Sequence, residues 1–572
     1  MDSKFNTVVL DIETDSLDAT KIHCICVQDY ETGMMKNFRQ EEGCKEFIGW
    51  HNMYYAKNGK FRKYIMHNGV SFDAPVLERL LHIRIPIEYI VDTLLLSQMI
   101  NAHREGGHSL KAWGKRLDSG NKIDFKDFSE FSEEMVTYCQ QDVHITRLLM
   151  QHLAPKISRF GKESVRMEHR VRRIIDQQED NGFHLNINKA HDLLEELKTK
   201  AEDLKKELQT IFPTIHTPRF HKTTGRALKD HVDEFNPSSR KQIAERLQKK
   251  YQWVPTKTTP TGLPVIDEQV LKGLDYPEAK TIAKYLLFEK RVSQIKSWLK
   301  NVKDDSKVHG RVITLGCVTS RMSHYGPNMA QVPASYSPYG KECRSLWTVS
   351  DPDKYCLVGS DASGLELRCF AHYLRNPKFT EQVVDGDIHT YNQKIIGLKD
   401  RPTAKTWVYA FIYGAGDTKL GQIVGGDTVA GLESRKRFIN KVNGMKTLNQ
   451  TLIRFLRERK RKYGEYQLVA LDKRILLARS IHSSLNTLIQ GAGAIICKQW
   501  LINIIDEAAK QNLDAKPVAN VHDEVQFEVR KSHAEEFGNI TKEAMKHVEK
   551  QFDLRCPLDS EYSIGTTWEE TH

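Results

Sequence analysis

The sequence predicts a multidomain chain of α/β and α+β units, and three observations point there. At 572 residues it is too long for one hydrophobic core, and ordinary domain sizes divide it into about three or four folded units. Residues 1 to about 155 alternate apolar strand patterns with helical ones, as an α/β domain does. From about residue 308 to the end strands and helices mix again, after a long helical stretch. Hydrophobic residues make up 40% and charged residues 28%, the balance of a folded globular protein and not of a disordered or membrane-spanning one.

The elements follow in order. An apolar strand at 8–12 opens the first domain and a helix at 133–152 closes it. Ala190, Leu194, Leu197, Ala201, Leu204 and Leu208 then recur at alternating spacings of 4 and 3, the stripe of a long amphipathic helix. Asn186 or Asn188 caps its start, and Pro213 stops it soon after Leu208. Such a stripe fits a two-helix arm packed within the chain, with a coiled-coil dimer as the alternative; a monomer is expected. Residues 213–229, polar, basic and rich in Thr and His, read as a loop. Ser238 or Ser239 caps the helix after it. An apolar strand at 355–358 leads to Asp361 at its end, and VHDEVQFEV at 521–529 has strand character on both sides of an acidic tip.

Lys and Arg number 85 against 74 Asp and Glu, a net charge of +11. A cationic surface attracts a polyanion, and nucleic acid is the first partner to consider. The ten cysteines include Cys24 and Cys26 but no Cys-x-x-Cys pair, which argues against a zinc ribbon or a dithiol redox motif and for reduced thiols. The first residues lack an apolar signal core and no run reaches the length of a membrane span, so a cytoplasm-like compartment is expected, with no membrane partner.

Asp11 and Glu13, two apart on the first strand, face the same side. HNGVSFD at 67–73 supplies Asn68 and Asp73, and YCQQD at 138–142 places Tyr138 and Asp142 one helical turn apart. Four converging acids repel unless divalent cations neutralise them, and their hard oxygens suit Mg²⁺ or Mn²⁺. Two such ions would activate a water, oriented by Tyr138, against a phosphodiester. The three segments resemble those of the DnaQ-like proofreading 3′→5′ exonucleases, which have a ribonuclease H-like fold. The resemblance implies Asp11, Glu13, Asp73 and Asp142 as ligands of two metal ions and Asn68 as a DNA contact.

The second constellation begins at DASGLELR, residues 361–368, and resumes at Asp523 and Glu524 on the tip of the 521–529 hairpin. Asp361 and Asp523 together would make a two-carboxylate metal site of the kind that bridges a triphosphate and an attacking hydroxyl. Between them, in RPTAKTWVYAFIYGAG, Arg401, Lys405, Tyr409 and Tyr413 recur every four residues. On a helix they form one drifting stripe about 6 Å per step, cations for phosphates followed by rings for a base and sugar.

These segments resemble motifs A, B and C of the family A, DNA polymerase I-like, DNA polymerases, with wording nearest the phage replicative branch. CVTSRMSHYGPNMAQVP at 317–333 and LNTLIQGAGA at 485–494 resemble two further family segments, one carrying an arginine and one a helix that reads the minor groove. The resemblance implies Asp361, Asp523 and the carbonyl of Ala362 as ligands of two Mg²⁺, with Glu524 beside the primer end. Arg401, Lys405 and His389 would hold the incoming dNTP, Lys405 protonating the departing pyrophosphate. Tyr409 would stack near the sugar, Tyr413 would continue the nucleotide stripe, and Glu366 would crowd the 2′ position. Arg321, Asn486, Gln490 and His482 would meet the primer-template minor groove. Ser320 stands where the family commonly has Gly before the arginine, so the backbone there is expected to differ slightly.

The implied order is an exonuclease domain at 1–155, a helical thumb and connector at 156–307, palm at 308–395, fingers at 396–478 and palm again at 479–572, a right hand after a DnaQ-like domain. Expected partners are primer-template DNA, dNTPs and replisome proteins such as a helicase-primase and a single-strand binding protein. Phage relatives capture host thioredoxin with a long thumb insertion; with about 20 residues available before Phe235, thioredoxin is not expected. The rival readings are a DNA-binding replication scaffold, an exonuclease whose polymerase half has decayed, and a polymerase specialised for RNA templates.

Overall fold

The computed structural model describes residues 5–119, 123 and 125–572. The amino-terminal sheet has five strands, β1 (Thr7–Thr14), β2 (Ile22–Asp29), β3 (Met35–Arg39), β4 (Lys63–Met66) and β5 (Ile90–Asp92), in the order β3-β2-β1-β4-β5. The first three pair antiparallel, while β1–β4 and β4–β5 are parallel. Every residue of β2 is buried, which identifies a strand covered on both faces and explains its unbroken apolar character. β1 runs two residues beyond the predicted 8–12, so Asp11 and Glu13 both lie within it.

Helices pack on this sheet, among them α1 (Asp73–Leu81), α2 (Thr93–Ile100) and α3 (Glu133–Ile157), which carry or position the acids. Ser132 caps α3 by accepting from the Met135 N–H, and the helix outruns its predicted end at 152 because Pro155 falls in its last turn. There a proline costs one bond and does not stop the preceding turns. α3 lies across β1 and β2.

After α4 (Lys162–Asn181), Asn186 caps α5 (Ile187–Ile211) by accepting from Lys189 N; Asn188 falls inside the helix. The predicted stripe is buried at Ala190, Leu194, Leu197, Ala201 and Leu208 and is covered by α6 (Pro277–Lys300). The two-helix arm is therefore the packing observed, and the face that a coiled-coil dimer would need is taken. Between them the stretch read as a loop is instead a hairpin, β6 (Ile215–Phe220) with β7 (Ala227–Asp233). Nearly all of its residues are exposed, so neither face imposes the apolar alternation by which strands are recognised. Gly225, at φ +67°, lets the turn close on His221. Ser239 caps the next helix, whereas Ser238 bonds the Tyr285 hydroxyl at 2.8 Å.

The carboxy-terminal sheet contains β8 (Tyr355–Ala362), β9 (Ala515–Val521), β10 (Glu524–Arg530) and β11 (Ser560–Gly565), ordered β9-β10-β8-β11 and antiparallel throughout. Helices α7 (Leu365–Leu374), α8 (Ile388–Ile396) and α9 (Arg401–Ile412) follow β8. α10 (Ser484–Lys510) precedes β9, and α11 (Ala534–Gln551) lies between β10 and β11. α10 is long and apolar enough to cross a membrane, but 83% of its most apolar stretch is buried inside the protein. It is a core helix, packed on α7 and α11.

One buried ionic cluster ties the halves together. Glu168 of α4 is fully buried and accepts from Lys498 Nζ of α10 at 2.8 Å and from Arg474, which also pairs with Asp472 at 2.7 Å. Lys498 donates further to the Thr314 carbonyl at 2.8 Å. Burial, partly opposed by Glu168, holds the Lys498 ammonium down to about 8.

Candidate active sites

Strand pairing brings Asp361 and Asp523 together. Asp361 is the penultimate residue of β8, opposite Glu524 of β10, and the Ala362 N–H donates to the Asp523 carbonyl at 3.0 Å. Asp523 itself stands in the two-residue turn between β9 and β10, after His522 in the left-handed region at φ 61°. Burial, then the neighbouring Asp523 and Glu524, raises Asp361 to about 7. Burial, then Glu366, raises Asp523 to about 6. Carboxylates that resist ionising beside one another form a site short of positive charge, and a hard oxygen set of this kind fits a divalent cation such as Mg²⁺.

Glu524 departs from expectation. The turn is His522–Asp523, while Glu524 begins β10 with its carboxylate enclosed. It accepts from Trp568 Nε1, from Gln526 Nε2 at 2.9 Å and from Arg344 Nη1 at 3.3 Å, with His572 Nδ1 at 3.1 Å. Burial works against its charge, yet bonding to His572, Arg344 and Trp568 holds it below the usual carboxylate range. Its partners come from distant segments, so its position in the hairpin motif alone could not reveal this enclosure.

The nucleotide stripe lies on α9 as predicted from spacing. Asp400 caps the helix through the Thr403 N–H at 2.8 Å. Ala404, Trp407, Val408, Phe411 and Ile412 bury one face, leaving Arg401 and Lys405 exposed and Tyr409 half-buried, with Tyr413 capping the carboxyl end. Burial, followed by Glu366 and Asp523, pushes the Tyr409 phenol up to about 12, which ties the stripe to the carboxylate pair. Arg401 Nε pairs with Asp387 at 2.8 Å. His389 of α8 faces Tyr409 with ring centres 6.2 Å apart, and its buried Nδ1 has no hydrogen bond among the described residues.

Glu366 joins several expected contacts. It accepts from Tyr413 Oη at 2.8 Å and from Arg321 Nη2 at 3.0 Å. Arg321, expected at the minor groove, is thus anchored beside the carboxylates. Asn486 on α10 and the His482 carbonyl lie against Gly414, just after α9, and the Asn486 Oδ1 is buried without a hydrogen bond among the described residues. Gln490 follows one turn on and is half-buried. Ser320 has φ 61°, a left-handed conformation that glycine adopts without cost.

In the amino-terminal unit, Asp11 and Glu13 share one face of β1 and α3 carries Tyr138 and Asp142 above it. Asp73 begins α1, and its carboxylate accepts from the backbone of Ile12, between the two β1 acids. Burial, opposed in part by backbone bonds and reinforced by Asp92, raises Asp73 to about 7, and its buried Oδ1 has no hydrogen bond among the described residues. Carboxylates placed on and beside the face of β1 are again hard oxygen donors of the kind that suits a hard cation. Asn68 has φ 66°, and its N–H donates to Asp92 Oδ1 at 3.0 Å.

Asp92 was not singled out from sequence. It caps α2, and its second oxygen accepts from Val70 N at 3.1 Å, so one buried carboxylate fixes the turn that presents Asn68 and Asp73. Its place before the apolar TLLLSQMI marked a helix cap; the bond to residues 68–70 had no local signal. Asp387, partner of Arg401, likewise reads from sequence only as a cap.

Residues 186–570 match the model of DNA polymerase family A. The DNA-directed DNA polymerases of Enterobacteria phage T3 and Escherichia phage T7 are each 32% identical to this chain, over 99% of it and 100% of their own length. The chain belongs to DNA polymerase family A. DNA polymerase I of Aquifex aeolicus is 25% identical over 83% of each chain. Among solved structures, the POL domain of Pol1 from M. smegmatis, in complex with DNA primer-template and dNTP, superposes with a TM-score of 0.80 over 99% of this chain and 96% of that one, at 17% identity. This family A chain therefore has the right-hand polymerase fold. Asp361 ends its β8, Asp523 stands in the β9–β10 turn beside it, and Tyr409 of its α9 lies within electrostatic reach of Asp523.

Proposed function

We propose that this chain extends a DNA primer on a DNA template with dNTPs and edits the product with a 3′→5′ exonuclease at Asp11. The observation that carries the first half is the meeting of Asp361, at the end of β8, with Asp523, in the β9–β10 turn, and the approach of Tyr409 of α9 to the same carboxylates. Mg²⁺, or Mn²⁺, held by Asp361, Asp523 and the Ala362 carbonyl would acidify the primer hydroxyl and stabilise the in-line displacement at the α-phosphate. Arg401 and Lys405 neutralise the triphosphate, and Lys405 is positioned to give a proton to the departing pyrophosphate. Glu366, fixed by Arg321 and Tyr413, crowds the sugar edge of the site against a 2′ hydroxyl. Arg321, Asn486, Gln490 and His482 read duplex geometry, while template pairing supplies the sequence information.

The exonuclease half rests on the strand order β3-β2-β1-β4-β5, that of a ribonuclease H-like sheet, on Asp11 and Glu13 sharing a face of β1, on Asp73 bonded to Ile12 between them, and on Asp142 of the helix α3 that crosses β1. These would hold two divalent ions, and Tyr138 would orient the attacking water. The division of the chain into exonuclease, thumb, palm and fingers belongs to the same proposal, as do a monomeric state, replisome partners and action in the cytoplasm of a phage host. Primer extension with dNTPs on DNA and RNA templates at fixed salt tests the polymerase; no incorporation on DNA rejects it. Degradation of single-stranded 3′ ends should vanish in Asp11→Ala with Glu13→Ala, and its persistence rejects the editing assignment.

A further inference from the structure

The sheet face that carries the amino-terminal acids also carries three thiols. Cys26 and Cys24 of β2 stand directly opposite Asp11 and Glu13 of β1, and opposed residues of an antiparallel pair leave the sheet on the same side. Cys139 descends from α3, one residue after Tyr138, and its Sγ lies 3.5 Å from Asp11 Oδ2 and 3.4 Å from the Asp11 carbonyl. The three sulfurs are within 4.8 Å of one another, and Cys139 Sγ is within the same distance of ligand atoms of Asp11 and Glu13. All three cysteines are fully buried, whereas Asp11 is half-buried.

Three sulfurs and one carboxylate oxygen are the donor set of a tetrahedral thiophilic ion. Bonds of about 2.3 Å to sulfur need sulfurs roughly 3.8 Å apart, a contraction that small side-chain rotations supply. Thiolates select such an ion over Mg²⁺, which prefers the carboxylate oxygens of Asp11 and Glu13. We propose that Cys24, Cys26, Cys139 and Asp11 form a Zn²⁺-class site whose occupation withdraws Asp11 from the hard-cation site and so silences editing. Loading releases the thiol protons to solvent and changes no oxidation state. The metal site stands on its own geometry; only its effect on editing rests on the exonuclease proposed above.

The test uses the full chain, stripped with chelator and titrated with Co²⁺ as the probe ion. A thiolate-to-cobalt charge-transfer band is expected in the unaltered protein, displaced by Zn²⁺, and weakened at least about tenfold in apparent affinity by Cys26→Ser. Metal-free melting curves establish that the variant is folded, and Cys24→Ala replaces it if it is not. In Mg²⁺, added Zn²⁺ should stop degradation of single-stranded 3′ ends, and the variant should need at least about tenfold more Zn²⁺. No band in the unaltered protein, or the same band in both cysteine variants, overturns the site. Equal Zn²⁺ inhibition with and without Cys26 overturns the coupling to editing. A normal cobalt band in a chain that degrades no DNA even without Zn²⁺ supports the site and rejects the exonuclease instead.

Discussion

Asp361 ionises near pH 7 in the folded chain and near 4 in an unfolded one. Between those values the folded state binds more protons, so the contribution of this group to stability is present at low pH and is lost as pH rises through about 7. Asp361→Asn removes the repulsion. In chelator at about pH 8 the variant should melt higher than the unaltered chain, the difference shrinking toward about pH 5, as calorimetry would show. Its primer extension should fall by about 10³-fold or more, the loss of several kcal/mol of charge stabilisation. Ser320 makes an independent test, because its φ of 61° costs about 1–2 kcal/mol for a residue with a Cβ. Ser320→Gly gives back part of this in unfolded-chain entropy, leaving a net gain of roughly 0.5–1 kcal/mol in denaturant unfolding. The sequence showed an unusual residue here and the acids two apart on β1. The enclosure of Glu524 by Arg344 and Trp568 depends on long-range packing that no local pattern encodes.

Elements with one buried face were legible, and those with none were not. The four-residue spacing on α9 and the 4-and-3 stripe on α5 announced their helices because each buries one side in a core. The β6–β7 hairpin buries almost nothing and so reads as a loop. Isolated two-stranded ribbons contribute little stability, and replacing residues 216–231 by a short Gly-Ser linker, which keeps Asp233 as the partner of the buried Arg246, should leave the melting temperature unchanged. On α9, Arg401 sits at the first turn, paired with Asp387 across the gap to α8. Losing a charge-assisted bond to a triphosphate costs about 1.5–3 kcal/mol, so Arg401→Ala should raise the KM for dNTP by roughly 10- to 100-fold with kcat little changed in steady-state kinetics.

At the scale of the whole molecule, the cluster around Glu168 joins the segment after the first domain to the core of the second. Glu168→Gln leaves a buried ammonium and guanidinium short of charge, a loss of about 3–5 kcal/mol that should appear as a lower denaturation midpoint. The alternation of strands and helices before residue 155 and after residue 308 was visible in sequence, but this tie was not, because Glu168, Asp472, Arg474 and Lys498 are ordinary charged residues in sequence and only the fold makes them buried. The same tie governs how the enzyme can be trimmed. Gly161 donates to the Lys473 carbonyl at 3.2 Å and Arg159 bonds Gln467, so the seam between the amino-terminal and carboxy-terminal sheets does not coincide with the last turn of α3. A shortened polymerase would have to start no later than this junction and retain α4 whole; shears placed a few turns downstream would strip the counterion from the interior and yield insoluble protein.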